Sequence, residues 1–169
     1  MLKTLPLSKL LTESHIIPLA ARSRKMAVEE LIDCLVNVGD LPAERRDAAV
    51  RSVLLREYQA ATGLGNGLAV PHAKINGIKR FMSVIGISTD GIDFGAKDGG
   101  ARLVVLLISQ PQSDHAVQHL DLLRFIGERL GSAKDVTALT DGLSPAQVLE
   151  AIRGREGNGA AAADAPAAG

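Results

Sequence analysis

An unbroken run of six aliphatic residues at positions 103–108, Leu-Val-Val-Leu-Leu-Ile, constrains this chain more than any other feature. A run this short cannot cross a membrane, and it has no polar face to show to water. As a strand it must therefore be covered on both sides. The flanking sequence supplies the cover. Val28, Leu31, Ile32, Leu35 and Val36 recur at helical spacing between a candidate N-cap at Ser23 and a C-cap at Gly39. Pro42 suits the first turn of a second helix, with Ala49, Val50, Val53 and Leu54 on its apolar side and Arg56-Glu57 at its end. Further strands fit residues 16–21 and 82–88, the second stopped by the turn signal Asp90-Gly91. A helix from about residue 114 to residue 130 starts near Ser113. Ser144-Pro145-Ala146-Gln147 is a capping box that opens a last helix, closed by Gly154. Helices interleaved with buried strands make an α/β fold with the sheet sandwiched between helices.

Composition narrows what such a scaffold can do. The 169 residues show no internal repeat or linker, so residues 1–154 are expected to form one domain. Residues 155–169, REGNGAAAADAPAAG, hold nothing apolar larger than alanine and are expected to be a disordered, dispensable tail. Nineteen basic and nineteen acidic side chains balance to zero, which argues against a nucleic-acid partner. With no spanning segment and no leader, no direct membrane insertion is expected, and the protein reads as cytoplasmic. Cys34, the single cysteine, excludes an intrachain disulfide and a cysteine zinc cage, and reads as a small packed residue. With no Trp, one Tyr and three Phe, aromatic stacking platforms are absent too. Function must come from polar groups set on an aliphatic frame.

Four histidines are the natural candidates near neutral pH. His15 lies in a turn-like segment without a polar constellation. His115 and His119 are four residues apart on one helix, and His119 shares a stripe with Leu123, Ile126 and Leu130 that turns it inward. That spacing suits zinc only with a third ligand; the glutamate of the zincin pattern is replaced by Ala116, and no metal is expected. His72 ends a short extended run, directly after Pro71 and just beyond Gly63, Gly65 and Gly67. Glycines at alternate positions let backbone N–H groups converge on an anion, which would place a phosphoryl group beside the imidazole. A tight turn beside a packed histidine fits the same residues equally well.

Taken together, Arg56-Glu57, Thr62-Gly63, the block GLAVPHAK and His119-Leu120 resemble the enzyme IIA domain of the fructose/mannitol type from the bacterial phosphoenolpyruvate-dependent sugar phosphotransferase system. Nitrogen-regulatory enzyme IIA proteins belong to the same family. The resemblance covers roughly residues 7–153. It implies a single mixed β-sheet flanked by helices on both faces, and a phosphoryl carrier that needs no cofactor. It also implies His72 as the residue phosphorylated, on Nε2, by the phosphocarrier HPr, with an enzyme IIB as acceptor. His119 and Arg56 fall on the family's second histidine and its arginine. Thr62, with the loop at Gly63, Gly65 and Gly67, would hold the phosphate oxygens. Ala61 stands where relatives often carry a hydroxyl. The segment GIDFGAKDG and His-Ala-Lys lean toward the fructose-like branch. Two other readings stand beside sugar transport: a stand-alone regulator that binds a target protein according to its phosphorylation, and a metal hydrolase built on His72, His115 and His119.

Overall fold

A computed structural model describes residues 5–112 and 115–164. Six strands form one mixed sheet: β1 (Ile16–Pro18), β2 (Gly63–Gly65), β3 (Leu68–Ala69), β4 (His72–Lys74), β5 (Met82–Ile92) and β6 (Ala101–Ser109). The order is β1-β5-β6-β3-β2, with β4 also paired to β6. The pairs β1/β5, β3/β6 and β4/β6 are parallel, while β5/β6 and β2/β3 are antiparallel. The aliphatic run lies in β6, at the centre, and its period of two divides the core. Val104, Leu106 and Ile108 enter one apolar cluster with α1 (Arg24–Asn37) and α2 (Arg46–Gln59). Leu103, Val105 and Leu107 enter the other with α3 (Ala116–Leu130), α4 (Ala133–Thr140) and α5 (Pro145–Asp164). The α/β class expected from the sequence is the fold observed, a mixed sheet with helices on both faces.

Local chemistry explains most boundaries. Ser23 accepts from the Met26 N–H at 3.2 Å and caps α1, while Gly39 leaves the helix at φ +84°. Pro42 precedes a single 3-10 turn over Ala43–Arg45, so α2 begins one turn later than the sequence suggests. Strand β5 does not stop at residue 88. It runs through Asp90-Gly91 to Ile92, with a register shift against β6 and Gly91 at φ +82°. The helix start expected near Ser113 falls on residues outside those described. On α3 the buried residues are His119, Leu122, Ile126 and Leu130, with Leu122 replacing Leu123 in the inward stripe. Cys34 is packed as expected, its thiol donating to the Ser14 carbonyl at 3.3 Å.

The end of the last helix needs correction. Gly154 does not close the last helix: α5 continues through it to Asp164. Arg155 donates to Asp135 at 3.1 Å, and Glu156 accepts from the Ser8 N–H at 2.8 Å and from its hydroxyl at 2.6 Å. Glycine in a helix costs only about 1 kcal/mol relative to alanine, and these ties to α4 and the N-terminal segment oppose that cost.

Candidate active site

The chain leaves β3 at Ala69, passes Val70-Pro71, and re-enters the sheet as β4. Proline has no N–H to give a ladder, so the strand breaks there, although the Leu107 N–H still reaches the Pro71 carbonyl at 3.1 Å. His72 therefore opens β4 rather than ending a strand, opposite Leu107 in register. Among the described residues no further strand pairs with β4 on its other side. The end of α2 and the start of α3 flank it instead, and between them lies a cleft of about 560 Å³. Arg56, His72, Lys74 and His119 line it together with exposed Leu55 and Leu120. Among the described residues its lining holds two cations and no carboxylate.

The ring of His72 meets that of His119 edge-on, with centroids 5.4 Å apart. Nδ1 of His72 lies 2.8 Å from the Val70 carbonyl. A carbonyl only accepts, so Nδ1 carries the proton and Nε2 keeps a free lone pair. Burial pushes the His72 pKa below the ordinary imidazole value, with Arg56 and Lys74 acting in the same sense; the bond to Val70 and the charge of Glu57 oppose them. His119 is 5% exposed. Burial, then the neighbouring His72, Lys74 and Arg56, push its pKa down to about 4. Both imidazoles are thus neutral at pH 7, beside two fixed positive charges.

Arg56, His72 and His119 share one cleft. Thr62, Gly63, Gly65 and Gly67 do not line it. The glycine loop forms a two-residue hairpin between β2 and β3. Asn66 at φ +57° and Gly67 at φ +86° have the two left-handed residues of a type I′ turn. The Gly63 N–H donates to the Phe94 carbonyl at 3.0 Å, and the Asn66 N–H to Asp98 at 2.8 Å. Thr62 is buried, and both its N–H and its hydroxyl go to the carboxylate of Glu57. Glu57, 2% exposed, also lies 3.7 Å from the Arg24 guanidinium. The expected phosphate cradle is therefore a brace joining the end of α2 to β2. The Asn66-Gly67 pair, a strong hairpin signal, stood in the sequence.

Lys74 is a cleft residue that sequence reasoning missed, although its signal lay two residues beyond His72. Ser109 does not line the cleft but sits buried behind His119, and nothing local in the sequence marks it. The remaining histidines lie elsewhere. His115 stands at the start of α3 without a capping side-chain bond, packs edge-on against Phe81 at 5.7 Å and borders a separate cleft with His15. His15 accepts the Thr12 N–H on Nδ1 and pairs through Nε2 with Asp40 at 2.7 Å. The three-histidine centre of a metal hydrolase is not assembled. Among the described residues no group of three or more His, Cys, Asp and Glu could hold a metal ion.

Comparison with known proteins bears on the family and the fold. The family model for the phosphoenolpyruvate-dependent sugar phosphotransferase system, EIIA 2, matches residues 9–154. A fructose-specific EIIA component from Haloferax volcanii is 32% identical over 108 residues, covering 64% of this chain and 68% of the relative. A nitrogen regulatory protein from Pseudomonas aeruginosa is 30% identical over 132 residues, or 77% and 80% of the two chains. Among solved structures, a chain of the complex of mannitol enzyme IIA with phosphorylated mannitol enzyme IIB from Escherichia coli superposes with a TM-score of 0.70. It is 23% identical and covers 85% of this chain and 97% of its counterpart.

Proposed function

From the premise that the chain belongs to the EIIA 2 family of the phosphoenolpyruvate-dependent sugar phosphotransferase system, we propose that it is a phosphoryl carrier that accepts phosphate on His72 Nε2 from an HPr-type phosphocarrier and passes it to an enzyme IIB of the fructose-like branch. The observation that carries this reading is the bond from His72 Nδ1 to the Val70 carbonyl, which leaves Nε2 as the unprotonated nitrogen in a cleft lined by two cations. In the transfer, the Nε2 lone pair forms a bond to the phosphorus of the carrier's phosphohistidine. The carrier's own N–P bond breaks, and its electron pair returns to that imidazole. No net proton moves.

Phosphoryl transfer passes through a loose transition state that needs positioning and charge stabilisation more than covalent help. Arg56 and Lys74 balance the phosphoryl charge, and an N–H of His119 binds its oxygens. The return step to an enzyme IIB runs through the same nitrogen. The proposed site asks for no metal or cofactor, since each role falls to a side chain already in the cleft. A cytoplasmic location goes with this role, as the carriers it exchanges with are proteins in solution. Among the described residues, no helix is long and apolar enough to cross a membrane.

The test is uptake of acid-labile phosphate from phosphoenolpyruvate, enzyme I and HPr, read by intact mass. Wild type gains one phosphoryl group and His72→Ala, folded, gains none; full labelling of that variant overturns the assignment. A regulatory role is the second reading, favoured by the match to a nitrogen regulatory protein over four-fifths of its length. Adding a fructose-type enzyme IIB separates the two: a transport component discharges its phosphate to it, and a regulator retains it.

A further inference from the structure

His119 can help a phosphoryl group only if the nitrogen it turns to the cleft carries a proton. At a pKa of about 4 the ring is neutral, so it has one N–H to place on either of two nitrogens. Ser109 decides which. It is the last residue of β6, fully buried and held in register by the Ile75 N–H on its carbonyl at 2.9 Å. Its Oγ lies 2.7 Å from His119 Nδ1 and makes no other hydrogen bond among the described residues.

Two arrangements satisfy that distance. If Nδ1 held the proton and donated to Oγ, the hydroxyl hydrogen would be left without an acceptor in a site closed to water, a cost of roughly 1–3 kcal/mol. If the hydroxyl donates to the Nδ1 lone pair, both groups are satisfied and the ring proton must sit on Nε2. Nδ1 is tied to the buried serine, so Nε2 is the nitrogen left for the cleft.

We propose that Ser109 is a positioning residue for phosphoryl transfer: its hydroxyl fixes His119 as the Nε2–H tautomer, so that the second imidazole presents a hydrogen-bond donor to the phosphoryl oxygens on His72. The pair then divides its roles by opposite locks. Val70 accepts from His72 Nδ1 and frees Nε2 as a nucleophile, while Ser109 donates to His119 Nδ1 and so keeps that ring's own proton on Nε2. Two chemically identical rings 5.4 Å apart become one nucleophile and one donor. The inference rests on His72 being the acceptor, but its tautomer content is testable without any transfer.

The experiment is long-range ¹H–¹⁵N correlation of the histidine rings in the full chain, with phosphate exchange against HPr measured alongside. In wild type, His119 should show a protonated Nε2 and an unprotonated Nδ1. Ser109→Ala should lose that preference and exchange phosphate about 10-fold more slowly, a part of the ~10²–10³ lost with a whole preorganised donor. Ser109→Thr, which keeps the hydroxyl, should restore both. A wild-type His119 protonated on Nδ1 overturns the proposal. So does a Ser109→Ala protein whose rate falls while its tautomer stays fixed, because the serine would then be acting through packing. If wild type takes no phosphate while His119 still shows the Nε2–H form, the phosphoryl-carrier reading fails and the tautomer lock stands.

Discussion

At the scale of single residues, the cleft is organised by what each imidazole nitrogen touches. His72 and His119 stand out by type and spacing, after a Pro and on an inward helical stripe of an aliphatic chain, whereas Arg56 is assigned only through the family resemblance. Ser109 does not stand out. A buried serine leaves no periodic signal, and its partner lies across a loop, from the end of β6 to the second turn of α3. The same geometry predicts how His119 behaves on substitution. Changing His119 to Gln removes the ring N–H from the transfer step, so phosphate exchange with HPr should slow by about 10²–10³ while His72 remains phosphorylatable and the melting temperature at pH 7 stays nearly constant. Exchange at the wild-type rate would show that the ring merely packs. Acid provides a second readout. The folded pKa of about 4 lies below the ordinary value near 6.5, so between those limits the unfolded chain binds a proton that the folded chain refuses. Stability must therefore fall as pH drops through that window, and His72 adds to the fall with the same sign. His119→Gln should flatten the decline in the urea midpoint between pH 7 and 4.5, and an unchanged slope would count against the buried neutral imidazole.

Elements follow the sequence where one periodic face meets one core, and depart from it where tertiary contacts override a local signal. Helix α1 and strand β6 are of the first kind. The hairpin β2–β3 is of the second: alternate glycines allow either an anion nest or a turn, and the choice falls to Asn66-Gly67 and to acceptors contributed by Phe94 and Asp98, some thirty residues on. Space fixes it as well, since a Cβ on Gly63 would come within 2.7 Å of the Phe94 carbonyl oxygen. Helix α5 shows the opposite override. Gly154 and a run of alanines read as a stop and a tail, yet Arg155 and Glu156 reach Asp135 and Ser8. Glu156 thereby ties the last helix to a segment near the N-terminus, 148 residues away in sequence. Two truncations test this at the scale of the helix. A chain ending at Gly157 keeps both ties, and one ending at Gly154 loses them. The shorter chain should melt a few degrees below the longer, as expected for a loss of about 1–2 kcal/mol in a domain of this size. Equal melting temperatures would return the boundary to Gly154.

For the molecule as a whole, the layering was legible because a strand as apolar as β6 has no alternative to double cover. The path around the site was not. The sequence shows Pro71 but not that β3 before it and β4 after it both run parallel along the same edge of β6, leaving β4 between two helix ends. That edge produces a surface suited to brief protein contact. The chain carries no net charge, yet the cleft concentrates Arg56 and Lys74, and its rims expose Leu55 at 61% on α2 and Leu120 at 60% on α3. Apolar side chains this exposed contribute little to the fold, so their burial is available to a partner. In the proposed role, a carrier that exchanges with two proteins in turn needs a small interface that releases quickly, below about 1,200 Å² in total. That role assigns Leu120 to encounter rather than to chemistry, and Leu120→Asp separates the two. Folding should be unaffected, since the side chain already faces water. The rate at saturating phospho-HPr should hold, because no group that touches the phosphoryl changes, while the concentration of phospho-HPr needed for half-maximal rate should rise several-fold, the signature of lost uniform binding. A fall in the saturated rate with unchanged half-saturation would place Leu120 in the transfer step itself, and the docking face would then have to lie elsewhere on the molecule.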